Sequence, residues 1–316
     1  MITAASDPPT APLSSAWSAL PPEYAIPDHA PSEAEAREYC RRLARSHYEN
    51  FSVASWFLPQ RLRQHFFNVY AYCRISDDLG DEVGDTAASL QLLDQWETEL
   101  NACYDGHPRH PVFVALAETV RKFEIPKHEF ADLLTAFRQD QTISRYETFN
   151  DLLDYCRYSA NPVGHLVLYL CGYRDSDRQQ LSDYTCTALQ LANFWQDVSV
   201  DFAKGRIYLP LEDLHRFGVS EEVIRDGENT SAFCETIGFE VERAREWFTQ
   251  GMPLVAKVER ALATDIELFS RGGQEILNAI ERQHYAVLGR RPAISKTRKL
   301  ALVARAALGK LLGKQR

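Results

Sequence analysis

The most informative stretch of the chain is Gln190-Leu-Ala-Asn-Phe-Trp-Gln-Asp-Val-Ser-Val-Asp201. Its polar members Gln190, Asn193, Asp197 and Asp201 recur every three or four residues, so they fall within roughly 80° of one another on a helix. Most of the other residues are apolar or aromatic. Amide and carboxylate groups on such a helix face inward only where something satisfies them. The stretch therefore predicts a buried helix whose polar stripe faces a binding site.

A second polar stripe comes earlier in the chain. Counted from Tyr70, the side chains of Arg74, Asp77 and Asp81 lie within roughly 60° of one another on a helix. Asp78 lies about 60° further round. Three carboxylates thus share two helical turns, with an arginine one turn before them. Arg74 suits contact with a diphosphate, and it also suits simple pairing with the carboxylates one turn later.

Helical periodicity extends over the rest of the chain, with no alternating strand pattern and no internal repeat. The fold class is therefore predicted to be all-α, with helices around a central cavity. The predicted helices run from 32 or 33 to 46, and over 60–81, 87–104, 112–123, 127–140, 148–158, 165–171, 175–202, 220–226, 231–252 and 255–289. Asn161-Pro162-Val-Gly164 is predicted to break a helix.

A hard cation would satisfy both stripes. Carboxylate and amide oxygens suit Mg²⁺, which shares one or two carboxylates with substrate phosphate oxygens. Two facing stripes therefore predict Mg²⁺ (Mn²⁺ is the alternative), in a number left open, with a diphosphate between them. The alternative is a solvated acidic face, which the apolar setting of the second stripe disfavours. The predicted ligands are Asp77, Asp78, Asp81, Asn193, Asp197 and Asp201.

Composition narrows the function classes. The chain has 316 residues, 45% of them hydrophobic, and a net charge of −9, which argues against nucleic acid as the main partner. Seven cysteines form no Cys-x-x-Cys pair, which favours a reducing cytoplasm. No apolar run reaches the roughly 20 residues of a membrane helix, and the start lacks signal-peptide features.

Three segments are predicted. Residues 1–31 are rich in proline and are expected to form a disordered or loosely attached leader. Residues 32–290 form the helical domain. Residues 291–316 form a basic amphipathic tail, which either contacts an anionic membrane surface peripherally or packs on the domain with a solvated basic face.

The two stripes resemble those of the squalene/phytoene synthase family, and the match runs from about His47 to Tyr285. The resemblance in the later stripe, which begins at Gln190, continues through Lys204-Gly-Arg206-Ile-Tyr-Leu-Pro210. Finer features resemble the hydroxysqualene synthases of bacterial hopanoid biosynthesis. These are His47-Tyr-Glu-Asn-Phe-Ser-Val-Ala-Ser55, Ala136-Phe-Arg-Gln-Asp-Gln141, Asp154-Tyr-Cys-Arg-Tyr-Ser-Ala-Asn-Pro-Val-Gly164 and Val200-Asp-Phe-Ala-Lys-Gly-Arg206.

The resemblance implies a single isoprenoid-synthase domain and assigns roles by position. Tyr70, Tyr155 and Gln190 would be catalytic or line the cavity, although a buried tyrosine is often a core residue with a satisfied hydroxyl. His47, Arg74, Arg206 and Tyr285 would bind substrate, although His47 also suits a surface or capping role.

The expected reaction is Mg²⁺-dependent ionisation of presqualene diphosphate, cation rearrangement and water capture, which gives hydroxysqualene and diphosphate. Tyr48, Glu49 and Asn50 replace the small hydroxyl and basic residues of condensing relatives, which favours a substrate with one diphosphate. The alternatives are a head-to-head prenyl transferase that makes presqualene diphosphate or phytoene, a terpene cyclase, and a non-enzymatic isoprenoid-binding protein. Other enzymes of the pathway are candidate partners.

Overall fold

A computed structural model describes residues 17, 20–46, 59–295, 297 and 298, and these residues contain helices but no strand. The all-α prediction is therefore confirmed. The helices are α1 (Glu33–Ser46), α2 (Arg63–Asp81), α3 (Thr86–Asp105), α4 (Pro111–Phe123), α5 (His128–Gln139), α6 (Phe149–Ser159), α7 (Asn161–Leu170), α8 (Ser176–Ala203), α9 (Leu211–Phe217), α10 (Glu221–Arg225), α11 (Ser231–Gly251) and α12 (Arg260–Arg282), with 3₁₀ turns at Pro22–Tyr24 and Met252–Lys257.

The short helix α9 was not predicted, and most predicted helix ends shift by one to three residues. Two boundaries differ more, for local reasons. The single helix expected over 255–289 is a 3₁₀ turn followed by α12, with Val258 extended between them. The break at Asn161-Pro162 is present, because α6 ends at Ser159 and α7 begins at Asn161. Proline is tolerated in the first turn of a helix, where no intrahelical amide bond is lost, so α7 starts four residues earlier than expected.

Two hydrophobic clusters surround the two helices that carry the polar stripes. One packs around α2, where Tyr72 meets Phe130 edge-to-face and stacks near Trp96. The other packs around α8, where Trp195 is fully buried and α11 and α12 lie against the helix. Helices α5, α6 and α7 connect the two clusters. The polar stripes of α2 and α8 therefore face a cavity between them.

The contact between α7 and α8 depends on a glycine. A Cβ atom at Gly164 would lie 2.2 Å from Ser182 Oγ and 2.6 Å from Cys186 Sγ. Real Cβ atoms do not approach other atoms so closely. Gly164 therefore lets α7 pack directly on α8 and sets the distance between two walls of the cavity.

Part of the predicted leader belongs to the helical domain. Leu20 and Tyr24 are buried, and the Tyr24 hydroxyl donates a 2.7 Å hydrogen bond to Asp78 Oδ2. The Trp17 indole donates to Gln95 at 3.1 Å. The expectation of a loosely attached leader over 1–31 is therefore wrong for these residues, because their apolar side chains complete the cluster around α2.

Helices in the described ranges are all too short or too polar to span a membrane. The basic tail lies mostly outside the described residues. Where it is described, Arg298 pairs with Glu275 of α12 at 2.8 Å, and Arg291 contacts α8. The membrane interpretation of the tail stays a prediction.

Candidate active site

The cavity between α2 and α8 has a volume of about 410 Å³. Charged side chains line one end, and apolar and aromatic side chains line much of the remaining wall. The charged residues are Arg74, Asp77, Asp81, Asp140, Asp201, Lys204 and Arg206. The uncharged ones are Tyr70, Cys73, Leu133, Phe137, Tyr155, Ser159, Val163, Gln190, Asn193, Phe194 and Tyr208.

Asp81 joins the two acidic segments through ion pairs. Its Oδ1 accepts from Arg206 Nη1 at 3.0 Å, and its Oδ2 accepts from Lys204 Nζ at 3.1 Å. These bonds lower the pKa of Asp81 despite its partial burial. The last carboxylate of the first stripe is thus neutralised by two cations that follow the second stripe.

The end of α8 explains how Arg206 reaches the cavity. Gly205 adopts φ +82°, its amide donates to Phe202 O, and the Arg206 amide donates to Asp201 O. This is the Schellman pattern, which needs a left-handed residue that glycine adopts without strain. It turns the chain so that Arg206 faces α2 rather than continuing along the helix.

Arg74 pairs with the first stripe. Its guanidinium forms two hydrogen bonds to the buried carboxylate of Asp78, and its Nη1 lies 3.6 Å from Asp77 Oδ2. Asp78 also accepts from Tyr24. The local-pairing alternative for Arg74 is therefore present, and Arg74 still lines the cavity. Asp78 is turned toward Arg74 and Tyr24 and does not line the cavity, whereas Asp77 does.

In the second stripe, too, some predicted ligands line the cavity and one is turned away to an arginine. Asn193 and Asp201 line the cavity. Asp197 instead forms a bidentate pair with Arg291, which also donates to Gln196 Oε1 at 3.2 Å. Burial, together with the nearby negative charge of Asp197, raises the pKa of Asp201 to about 7. Burial and the nearby Asp81 raise the pKa of Asp77 to about 6.

The oxygen donors suit a shared magnesium site better than a protein-only site. In the described part of the chain, no three His, Cys, Asp or Glu side chains come together in a geometry that would hold an ion. The carboxylates of Asp77, Asp81 and Asp201 and the amide of Asn193 nevertheless line one cavity. Mg²⁺ usually takes one or two carboxylates and completes its shell with water and phosphate oxygens, so these residues fit Mg²⁺ together with a phosphate ligand. Their assignment as ligands stays a prediction.

Asp140 is a site residue that was not predicted. Its Oδ2 accepts from the Tyr155 hydroxyl at 2.9 Å and its Oδ1 from the Tyr208 hydroxyl at 3.3 Å. Burial raises its pKa to about 6, although Arg206 and the two phenols oppose the shift. Asp140 sits at the end of α5, where the helix dipole disfavours a negative charge. An aspartate at the end of the predicted helix 127–140 is the sequence feature that could have pointed to a site residue here.

An aromatic group encloses this carboxylate. The rings of Phe194 and Tyr208 stack with centroids 4.0 Å apart, and Tyr155 lies 5.7 Å from Tyr208. Burial raises the pKa of Tyr155 well above its usual value, so its phenol is a neutral donor. Electron-rich ring faces attract cations. This wall therefore suits a positively charged intermediate.

The remaining predicted residues divide into three groups. Tyr70 and Gln190 line the cavity with Tyr155. Tyr285 does not: it adopts φ +62° after α12, and its ring lies beside Gly238 of α11. His47 and the neighbouring Tyr48, Glu49 and Asn50 lie outside the described residues.

Comparison with known proteins gives one family. The family model described as squalene/phytoene synthase matches residues 44–298. A phytoene synthase of Arthrospira platensis is 30% identical over 290 residues, which is 88% of this chain and 94% of that protein. A 15-cis-phytoene synthase of a Synechocystis strain is 30% identical over 281 residues, which is 85% of this chain and 83% of that protein.

Two solved structures share the fold over nearly their whole length. The crystal structure of squalene synthase HpnC from Alicyclobacillus acidocaldarius is 45% identical, with a TM-score of 0.77 over 85% of this chain and 98% of that one. A dehydrosqualene synthase in complex with a ligand is 28% identical, with a TM-score of 0.79 over 90% of this chain and 98% of that one.

Proposed function

Because the chain belongs to the squalene/phytoene synthase family, whose members are isoprenoid synthases that act on prenyl diphosphates, we propose that it converts presqualene diphosphate into hydroxysqualene and diphosphate. The reaction would ionise the diphosphate ester, rearrange the resulting cation and capture it with water. The observation that supports this proposal is a cavity that joins a charged end at Asp81, Arg206 and Asp201 to a wall of apolar and aromatic side chains.

The charged end suits a diphosphate. Arg74, Lys204 and Arg206 supply cationic donors to phosphate oxygens, and arginine binds such oxygens bidentately. Mg²⁺ held between the stripes would neutralise negative charge on the diphosphate and make it a better leaving group. Asp77, Asp81, Asn193 and Asp201 would hold the ion from within the cavity. Asp78 and Asp197 would join them only by exchanging their bonds to Arg74 and Arg291.

The apolar wall suits the hydrocarbon part and the cation. Leu133, Phe137 and Val163 line the cavity and would pack against the bound hydrocarbon. The packed hydrocarbon would keep water away from the cation while it rearranges. The stacked rings of Phe194 and Tyr208 stabilise positive charge without acting as nucleophiles. Water would reach the cation only at a polar position in this wall.

Two facts favour the squalene branch of the family. The chain is 45% identical to a squalene synthase of known structure and 30% identical to the two phytoene synthases. The residues after His47 are Tyr48, Glu49 and Asn50, which lack the small hydroxyl and basic groups expected of a second diphosphate site.

The second candidate is head-to-head prenyl transfer, since the curated relatives are phytoene synthases and the same charged end would serve that reaction. Purified protein with Mg²⁺ should be given presqualene, farnesyl and geranylgeranyl diphosphates separately. Products are identified by mass spectrometry, with and without a reduced nicotinamide. An alcohol from presqualene diphosphate supports the proposal. Consumption of farnesyl or geranylgeranyl diphosphate with presqualene diphosphate untouched would refute it in favour of the transferase.

We also propose a role for the basic tail, residues 291–316. Peripheral membrane contact through the basic residues of 291–316 would suit an enzyme with lipid substrates and products. The enzyme would then work in the cytoplasm at a membrane surface.

A further inference from the structure

Ser159 carries an unused hydroxyl beside the cavity. It is the last residue of α6 and forms part of the cavity wall. Its Oγ is buried and has no hydrogen-bond partner among the described residues. A buried hydroxyl without a partner loses its bonds to water and gains none in return, which costs stability. A water molecule or a ligand in the cavity would satisfy it.

Other helical hydroxyls in this protein solve the same problem locally. Ser76, Thr236 and Thr264 each donate to the carbonyl oxygen four residues earlier, at 2.8 to 2.9 Å. The equivalent acceptor for Ser159 is the carbonyl of Tyr155, and the described structure shows no such bond. The hydroxyl of Ser159 therefore remains available, and rotation to another staggered χ1 position can aim it differently.

Ser159 shares the cavity wall with apolar side chains and with the proton-accepting pair of Tyr155 and Asp140. Leu133, Phe137 and Val163 line the cavity with it. Tyr155 lies one helical turn earlier on the same face of α6, and its hydroxyl donates to Asp140 at 2.9 Å. A polar hydroxyl in an apolar wall, one turn from a carboxylate-linked phenol, can hold a water molecule and give its proton a route away.

We propose that Ser159 is a positioning residue that holds the water molecule that captures the carbocation. This inference rests on the proposed function. The water oxygen forms a C–O bond to the cationic carbon with a lone pair, and one water O–H bond breaks. The released proton passes to the phenol oxygen of Tyr155 as the phenol proton passes to the carboxylate of Asp140. Charge and atoms balance: cation, water and carboxylate give alcohol and carboxylic acid.

The test compares products rather than rates alone. Wild type, Ser159→Ala and Ser159→Thr are each incubated with Mg²⁺ and presqualene diphosphate in ¹⁸O-labelled water. Hydroxysqualene, C30 hydrocarbons and released diphosphate are then measured. In Ser159→Ala we expect the ratio of alcohol to hydrocarbon to fall roughly tenfold, the effect of losing one hydrogen bond. The cation then loses a proton instead of gaining water. Ser159→Thr keeps the hydroxyl and should keep the alcohol.

The control is Ser182→Ala, a buried serine of α8 that does not line the cavity and whose Oγ contacts Cys186 Sγ at 3.8 Å. It should leave the product ratio unchanged. Thermal unfolding adds a second readout, because deleting an unpartnered hydroxyl should leave the Tm of Ser159→Ala equal to or above that of wild type.

The outcomes separate the two proposals. If wild type forms the alcohol and Ser159→Ala forms it in the same ratio, the role of Ser159 is refuted and the proposed function stands. A Ser159→Ala protein with a lower Tm and an unchanged ratio shows a structural role and also refutes it. If wild type forms no alcohol from presqualene diphosphate, the proposed function fails and the role of Ser159 fails with it.

Discussion

Asp81 and Arg206 are 125 positions apart in the sequence and are joined by a 3.0 Å ion pair at the charged end of the cavity. Lys204 binds the other oxygen of the same carboxylate. The pair links the end of α2 to the turn after α8. With a diphosphate and Mg²⁺ bound, these partners would exchange: Asp81 would hold the metal, and Lys204 and Arg206 would bind phosphate oxygens.

Asp81→Asn tests this exchange. The amide removes the carboxylate charge that we propose holds Mg²⁺, and it leaves Lys204 and Arg206 without their ion-pair partner. We expect Mg²⁺-dependent diphosphate release to fall by roughly 100-fold or more, the size of effect seen when one preorganised electrostatic contact is lost. Calorimetry with MgCl₂ and inorganic pyrophosphate should show weaker binding in parallel.

The matched control is Asp226→Asn, an exposed aspartate that pairs with the adjacent Arg225. It should release diphosphate at the wild-type rate. Wild-type release by Asp81→Asn would exclude a role for this carboxylate in metal binding.

The effect of Mg²⁺ on stability should depend on pH. The pKa of Asp77 is raised to about 6 and that of Asp201 to about 7. Because these folded-state pKa values lie above the unfolded value, the stabilising contribution is complete below about pH 4 and is lost as pH rises through 6 to 7. Bound Mg²⁺ favours the ionised carboxylates. The rise in Tm caused by MgCl₂ should therefore be larger at about pH 8 than at about pH 5.5.

Asp201→Asn should flatten this dependence, because one of the two titrating carboxylates is gone. The measurement is a set of thermal unfolding curves with and without MgCl₂ across the pH range. A rise in Tm that is equal at both pH values would show that Mg²⁺ does not bind at these carboxylates.

The sequence was sufficient for most of the helices and their inward-facing sides, because the 3.6-residue period marks which residues share a face. It missed the seven-residue α9, which is too short to show that period. It placed Tyr70, Asp77, Asp81, Gln190 and Asn193 on surfaces that do line one cavity. Periodicity along one helix says nothing about partners from other elements, and the differences in orientation arise there. Asp78 and Asp197 share the motifs but turn to Arg74 and Arg291.

Asp140 also shows that a local sequence pattern does not reveal contacts between separate elements. It lies in a quoted motif, but its role depends on Tyr155 from α6 and Tyr208 from the loop after α8. Contacts between three separate elements depend on how the helices pack, which no local pattern specifies. Tyr285 does not line the cavity for a related reason: its backbone is left-handed and its ring lies beside Gly238.

His165 should make the fold sensitive to alkaline pH. It bridges Glu129 of α5 at 2.9 Å and Asp183 of α8 at 2.7 Å. Burial lowers its pKa, but the bonds to Asp183 and Glu129 outweigh burial and raise it to about 9. The folded-state pKa exceeds the unfolded value, so the stabilisation is fully present below about pH 6.5 and is lost as pH rises through 9.

The measurement is urea unfolding of wild type and His165→Gln at about pH 6 and about pH 10. A shift of this size corresponds to about 3 kcal/mol at neutral or lower pH. We expect His165→Gln to lose stability at pH 6 and to differ much less from wild type at pH 10. An equal loss at both pH values would show that packing rather than charge explains the role of His165.

Two helical glycines should respond in opposite directions to alanine. In Gly164→Ala the added Cβ would overlap Ser182 Oγ and Cys186 Sγ, so α7 must move away from α8. Overpacking of this kind costs about 1–3 kcal/mol. At Gly272 of α12 an added Cβ meets no atom within 4 Å, so alanine should gain about 0.5–1 kcal/mol from its better helix propensity. The free energies of unfolding of the two variants test this prediction.

Because Val163 lines the cavity next to Gly164, Gly164→Ala should also raise the KM for the diphosphate substrate, whereas Gly272→Ala should leave it unchanged. A stable Gly164→Ala protein with an unchanged KM would show that the close contact of α7 with α8 does not set the shape of the cavity.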